Sequence, residues 1–108
     1  MLKVVYSVTN VELQIEKRNP PILVIKTDGE ANSGGWTDFQ LIGYVYIAPP
    51  ADGIYDFDLV GEAPDDGEIV SGAITKIKPS VETEWSPFPA DLKGVRVHSS
   101  TNSFTVTL

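Results

Sequence analysis

The stretch Tyr46–Glu68, YIAPPADGIYDFDLVGEAPDDGE, holds seven carboxylates, and its reading decides the fold. Carboxylates gathered on loops suit a hard cation that takes oxygen ligands. Carboxylates alternating with apolar residues mark the wet face of a half-buried strand. Within IYDFDLV, Tyr55, Phe57 and Leu59 share one parity and Asp56 and Asp58 the other. That is a strand period, and it makes the two aspartates the solvent side.

Register follows from the flanking turns. If PPADG is a five-residue hairpin loop closed by Ala48 opposite Ile54, Ile47 faces Tyr55, Val45 faces Phe57 and Gly43 faces Leu59. The other face then pairs Tyr46 with Asp56 and Tyr44 with Asp58. A loop one residue longer or shorter would set both carboxylates among Val45 and Ile47, where they would be buried at high cost. A second hairpin turning at PDDGE would pair Phe57 with Ile77, Leu59 with Thr75, Asp56 with Lys78 and Asp58 with Lys76. Each such pair contributes about 0.2–1 kcal/mol, with surface ion pairs at the low end. Asp65, Asp66 and Glu68 read as a turn in which Asp-Gly is favoured for backbone reasons. The alternative makes those three residues ligands of a calcium ion, although the EF-hand spacing is absent. No cofactor and no metal is expected.

Working outward, the period of two persists. Val, Ile, Thr, Tyr and Phe fill the runs, Gly, Pro, Asn and Asp fill the gaps, and no amphipathic helical stripe of twelve residues occurs. Seven or eight short strands are expected. In the first run Val4, Tyr6 and Val8 share one parity and Val11, Leu13 and Ile15 the other, so the apolar face flips near Thr9-Asn10. A bulge, or a crossing to a second sheet, does this. Ile22–Ile25 is apolar without alternation, as in a strand at the middle of a sheet. DGEANSGGW is a cluster of turn residues, and the next strand is expected over about 38–48. GVRVHSSTNSFTVTL reads as a terminal hairpin, with Val95 and Val97 inward and Arg96 and His98 outward. The expected fold is all-β: one domain over 1–108, a two-sheet antiparallel sandwich, immunoglobulin-like in architecture. The alternative is a small closed β-barrel.

Composition limits function. The 108 residues suffice for one core without staples. The net charge of −7 opposes nucleic-acid binding, which needs a basic patch. There is no cysteine and a single histidine, which removes thiolate chemistry and leaves no zinc set beyond carboxylates. His98-Ser99-Ser100 lacks the G-x-S-x-G elbow, and strand neighbours point to opposite faces. No signal-peptide pattern and no run near 20 apolar residues is present, so a soluble domain without membrane contact is expected. Five aromatics are the candidate binding residues. Tyr44 and Tyr46 lie on the expected wet face. Trp36 follows Gly34-Gly35. Trp85 and Phe88 belong to the segment 79–93, which lacks strand periodicity and reads either as a recognition loop or as a plug for the open end of the sandwich. The expected function is a non-enzymatic protein-interaction or structural module, engaging another protein or a second copy through a sheet face or an edge strand. The alternative is a small-ligand or carbohydrate-binding domain that uses those aromatics.

Overall fold

In the computed structural model, which describes Met1–Leu108, nine strands and no helix are present. They are β1 (Leu2–Val4), β2 (Ser7–Glu16), β3 (Ile22–Ala31), β4 (Thr37–Gly43), β5 (Ile54–Glu62), β6 (Thr75–Lys76), β7 (Val81–Trp85), β8 (Gly94–His98) and β9 (Ser103–Thr107). After β1 the chain lays strands down two at a time on alternate sheets. β1, β4, β5, β8 and β9 make one sheet, with β5 at its centre; β2, β3, β6 and β7 make the other, with β3 at its centre. The two sheets pack face to face as a sandwich, not a closed barrel, with extents of 46 × 27 × 20 Å.

Alternation builds the core. Tyr55, Phe57 and Leu59 from β5 and Val95 and Val97 from β8 meet Val8 and Val11 from β2 and Leu23 and Ile25 from β3. Side chains of this size stabilise the fold by roughly 1.5–3 kcal/mol each when fully buried. Leu23, Ile25, Leu59, Val95 and Val97 have no exposed surface. The parity change in the first run is a bulge between Val8 and Asn10. It lies just past the point where the chain crosses from the first sheet to the second. Asn102, in the β8–β9 turn, fastens it: its side-chain oxygen accepts the Val8 N–H (2.9 Å) and its amide donates to the Val8 carbonyl (2.8 Å).

The structure corrects four expectations. β4 and β5 pair with Leu41 opposite Leu59 and Gly43 opposite Phe57, a register two residues away from the one that puts Gly43 opposite Leu59. The slip is even, so the side chains within β4 keep their expected faces, but β4 ends at Gly43 and the expected alternation does not continue through Val45 and Ile47. Just past that end the Tyr44 N–H still donates to the Asp56 carbonyl (2.9 Å), while the Asp56 N–H is accepted by the Tyr46 hydroxyl at 2.8 Å in place of a ladder carbonyl. Val45 and Ile47 therefore do not face Phe57 and Tyr55; they stand in solvent. Second, β6 does not pair with β5. It joins β3, with Lys76 opposite Glu30 and Thr75 opposite Ala31, so the Asp56–Lys78 and Asp58–Lys76 pairs do not form. The edges of β5 are already taken, by β4 on one side and by β1 and β8 on the other. Third, the 79–93 segment contains a strand. Val81–Trp85 pairs with the edge of β3 from Thr27 to Leu23. Fourth, one pair is parallel: β5 runs alongside β8 with Asp56 opposite Arg96 and Asp58 opposite His98. A parallel pair needs a long crossover, and β6 and β7 on the second sheet supply it.

One core position carries an internal conflict. Thr27 is completely buried, and its Oγ1 has no hydrogen-bond partner. An unpaired buried hydroxyl costs on the order of 1–3 kcal/mol, while an apolar group of the same shape incurs no such cost. Thr27→Val is expected to raise the urea midpoint, by an amount equivalent to about 1 kcal/mol. A lowered midpoint would mean that the hydroxyl has a partner in solution.

Candidate functional site

The parallel pairing of β5 with β8 places two carboxylates beside two bases on the outer face of the first sheet. Asp56 is the centre of this group. Its Oδ1 meets His98 Nε2 at 2.7 Å and Arg96 Nη1 at 3.3 Å, and its Oδ2 accepts the Tyr46 hydroxyl at 2.7 Å. Arg96 also donates through Nε to Thr105 Oγ1 (3.2 Å) and lies 3.9 Å from Asp52. Tyr44 donates to Asp58 Oδ1 at 2.9 Å, and its ring stacks on His98 with centroids 5.4 Å apart and planes at 21°. Both Tyr–Asp partnerships expected from the sequence are thus made. They are made by long side chains reaching across a slipped register. The bases that complete the group are Arg96 and His98, not Lys76 and Lys78.

The electrostatics follow from these contacts. Burial alone would raise the Asp56 pKa, but the hydrogen bonds from His98 and Tyr46 and the charge of Arg96 outweigh it and hold the carboxyl below its usual value. Asp56 is therefore an anion with its acceptor positions engaged, suited to holding β5, β8 and Tyr46 together rather than to accepting a proton from a substrate. The phenol of Tyr44 is pushed up to about 12, by desolvation first, then by its bond to Asp58 and the nearby carboxylates. Tyr46 and Tyr55 are raised for the same kind of reason, with Asp56 and Asp91 as their partners. A phenol whose folded pKa exceeds its unfolded value contributes stability that is complete below about pH 10 and is lost as pH rises toward the folded value. In an alkaline titration followed at 295 nm, Tyr44 is expected to ionise near pH 12, and Asp58→Asn is expected to lower that midpoint. An unmoved midpoint would show that Asp58 does not accept from Tyr44.

A cleft of about 360 Å3 opens beside this group, at the side of the sandwich where β4 gives way to the 44–47 segment and β7 faces it. Tyr44, Tyr46 and Asp56 form one rim, Thr83, Glu84 and Trp85 of β7 the other, and Tyr55 and Phe57 the floor. Gly43 borders it as well, and a Cβ there would come 3.2 Å from the Phe57 ring. Tyr46 meets Tyr55 edge to face at 5.3 Å and 78°, Tyr55 meets Trp85 at 5.5 Å and 72°, and Phe57 meets Trp85 at 5.4 Å and 78°.

Of the five aromatics singled out in the sequence, Tyr44, Tyr46 and Trp85 come together here. Trp36 and Phe88 do not. Trp36 lies against Gly61 with Phe39, donates to Ser33 Oγ at 3.2 Å, and borders a separate hollow of about 490 Å3 with Lys78 and Glu82. Phe88 packs half-buried against the core from the 86–93 connection. Asp65, Asp66 and Glu68 stand exposed on a turn in which the Glu68 N–H bonds to the Asp65 carbonyl at 3.1 Å. No group of three or more His, Asp or Glu side chains anywhere in the chain is placed to hold a metal ion. The Ser99 hydroxyl is bound to Asn102 (2.6 Å to Oδ1), and His98 Nε2 is bound to Asp56, so the two neighbours do not form a nucleophile–base pair. No helix is long and apolar enough to cross a membrane. The class this defines is a two-sheet β-sandwich with an aromatic side cleft and a pinned apolar loop. The chain matches no protein-family model, no curated protein and no solved structure.

Sequence reasoning missed Arg96 and His98 as neighbours of the two tyrosines and their aspartates. The outward parity of Arg96 and His98 was legible. Their partner strand was not, because a parallel pairing leaves no mark in a local hairpin pattern.

Proposed function

We propose that this domain is a non-enzymatic protein-interaction module that engages its partner through the 44–47 segment and the cleft beneath it. The observation that carries this reading is the state of Val45 and Ile47. Their side chains are 98% and 108% exposed, on a segment whose alternate residues, Tyr44 and Tyr46, are pinned to Asp58 and Asp56. Tyr44 (45% exposed) and Ile42 (42%) continue the apolar surface beside them. A strand end that merely frays would not have its alternate side chains, Tyr44 and Tyr46, hydrogen-bonded to Asp58 and Asp56 while Val45 and Ile47 stand out in solvent. A segment already ordered in the free protein loses little conformational freedom on binding, so more of the burial appears as affinity. The crossing of the chain between sheets after β1 supports an immunoglobulin-like description of the architecture, but the functional reading rests on the surface and not on that likeness.

The test is a pair of charge substitutions, Val45→Asp with Ile47→Asp. Both sites are exposed, so the unfolding midpoint is expected to stay within about 0.5 kcal/mol of the parent. A partner retained by the parent chain and lost by the double variant, or a dimer seen in sedimentation with the parent and absent with the variant, agrees with the reading. Equal capture and equal sedimentation by both would sink it. A second reading, a small-ligand or carbohydrate site, is favoured by the cleft itself, which lies within the size range of ligand pockets and has a largely aromatic lining. Tryptophan fluorescence unmoved by a panel of neutral sugars would remove the carbohydrate form of it.

A further inference from the structure

An unpaired sheet edge presents a row of free N–H and C=O groups to any strand that meets it, and natural sheets blunt such edges with charge, bulges, proline or short strands. Most edges here are blunted. β1 and β6 are short and carry Lys3 and Lys76. β2 has the bulge between Val8 and Asn10 and carries Glu12 and Glu16. β4 is interrupted between Thr37 and Gln40, where Asp38 has a φ of 53°. β7 carries Glu82 and Glu84 and lies between Pro79 and Pro87. β9 has none of these devices. It closes the first sheet on the side away from β4 and pairs only with β8. From Thr101 to Leu108, TNSFTVTL, no residue is charged and none is proline. The pairing with β8 also fixes which backbone groups of β9 are free. The Leu108 N–H donates to the Lys93 carbonyl and the Ser99 N–H to the Asn102 carbonyl, both at 2.9 Å, so by antiparallel alternation Val106 and Phe104 are the residues bonded to Val95 and Val97. Ser103, Thr105 and Thr107 turn their N–H and C=O groups away from β8, where no other strand of the chain pairs with them. Their side chains stand exposed on the outer face, while Phe104 and Val106 reach half-buried toward the core.

We propose that this edge joins a second copy of the chain, β9 to β9 antiparallel about a twofold axis at Thr105, so that the first sheet runs on without a break across a dimer. The strand complements itself in that register. Thr105 meets its own copy and Ser103 meets Thr107 on the outer face, and Phe104 meets Val106 on the inner one; hydroxyl pairs and aromatic–β-branched pairs of this kind stabilise antiparallel sheets. The outward N–H and C=O groups of Ser103, Thr105 and Thr107 all find partners. Charge favours the same edge. At −7 two copies repel, and β9 is the only edge strand without a charged residue. The nearest charge is Arg96, one strand back, which is bonded to Asp56 and to Thr105 Oγ1. Its two copies would be three strand spacings, about 14 Å, apart. A contact one strand wide is small, so the dimer is a weak one that forms at high concentration. The 44–47 segment lies at the opposite edge of the same sheet and stays open in both copies, so this inference does not depend on the interaction reading above.

The deciding experiment combines sedimentation of the full chain from micromolar to millimolar concentration with residue-resolved amide exchange by 15N NMR at both ends of that range. The parent is expected to pass from monomer to dimer, and exchange at Ser103, Thr105 and Thr107 is expected to slow about tenfold or more, while Gly67 on its exposed turn keeps its rate. Two variants probe the axis. Thr105→Lys sets two ammonium groups opposite one another. Thr105→Pro removes an outward N–H that has no partner in a single chain and that an edge strand can spare. Both are expected to stay monomeric throughout with the circular dichroism of the parent, and Val45→Asp, Ile47→Asp is expected to dimerise as the parent does. A parent that is monomeric at millimolar concentration overturns the proposal, and protection of the three amides only when a different protein is added would give the edge to a foreign strand instead. A dimer in which Ser103, Thr105 and Thr107 exchange as fast as in the monomer, or one that survives both Thr105 variants, overturns it as well. A dimer abolished by Val45→Asp, Ile47→Asp alone would overturn it while supporting the 44–47 reading.

Discussion

Leu59→Ala is expected to lower the free energy of unfolding by about 3–5 kcal/mol, measured as a fall in the urea midpoint at constant slope. Leu59 has no exposed surface and sits on the central strand of the first sheet. Leu41 of β4 is opposite it on one edge, and the Val5 N–H donates to its carbonyl on the other at 3.0 Å. A side chain held between paired backbones leaves a hole that the surroundings cannot close, and it is this rigidity that moves the cost toward the upper end of the range for Leu→Ala. Domains of this size have total stabilities of about 5–15 kcal/mol, so the variant would retain a folded population only if the parent is well above the lower bound. A loss under about 1.5 kcal/mol would show that the two sheets close around the deletion and that the core is softer than its packing implies.

The second large effect comes from adding atoms. Gly29→Ala is expected to cost about 3 kcal/mol or more, because a Cβ on Gly29 would lie 2.5 Å from the Ser7 carbonyl oxygen and 2.9 Å from Leu59 Cδ2. The Ser7 oxygen belongs to backbone, at the start of β2 and next to the bulge, with Val8 opposite Gly29 in the ladder. It cannot rotate away as a side chain would. The Gly29 carbonyl also accepts the Ile77 N–H at 2.9 Å, so a shift of β3 here disturbs the entry of the chain from β6. Since the new methyl would press on Leu59 itself, the two substitutions are coupled. The double variant Gly29→Ala, Leu59→Ala is expected to lose less than the sum of the singles by about 1 kcal/mol, since truncation at 59 relieves one of the two contacts while the Ser7 contact remains. Strict additivity would mean that the backbone moves away from both.

These two residues also show where the sequence was readable. Leu59 declared itself: it alternates with Asp58 and shares parity with Tyr55 and Phe57, and a strand puts one parity into a core whatever its neighbours are. The bulge near Thr9-Asn10 declared itself in the same way, through a change of parity within one run. The terminal hairpin did too, with Val95 opposite Val106 and Val97 opposite Phe104. Gly29 did not. It looked like a turn glycine within DGEANSGGW, but β3 continues through it to Ala31, and its lack of a side chain serves a close approach of two sheets. Nothing local to the sequence distinguishes the two uses.

The VETEW stretch is an instructive miss. Val81, Thr83 and Trp85 alternate with Glu82 and Glu84, so the strand signal was present. It was short and lay between Pro79 and Pro87, which suggested a stiff loop. The open edge of β3 is what made it a strand, and Trp85 then points where Tyr55 and Phe57 can receive it.

What the sequence by itself determined is the set of faces. The period of two assigned Asp56, Asp58, Arg96 and His98 to solvent and Tyr55, Phe57, Leu59, Val95 and Val97 to the core. It did so because burying a charge is costly enough to settle parity locally. What only the tertiary structure decided is which strands lie beside which. The parallel partnership of β5 with β8, the move of β6 to the other sheet and the two-residue slip at Tyr46 all preserve parity, and parity is the one quantity that local alternation encodes. Partner choice depends on which backbone edges remain open after the rest of the chain has packed, and that competition is settled between segments far apart in sequence. The cleft arises from it: Tyr44 and Tyr46 share no local pattern with Trp85, and they border one cleft because β4 releases its chain where β7 finds an edge.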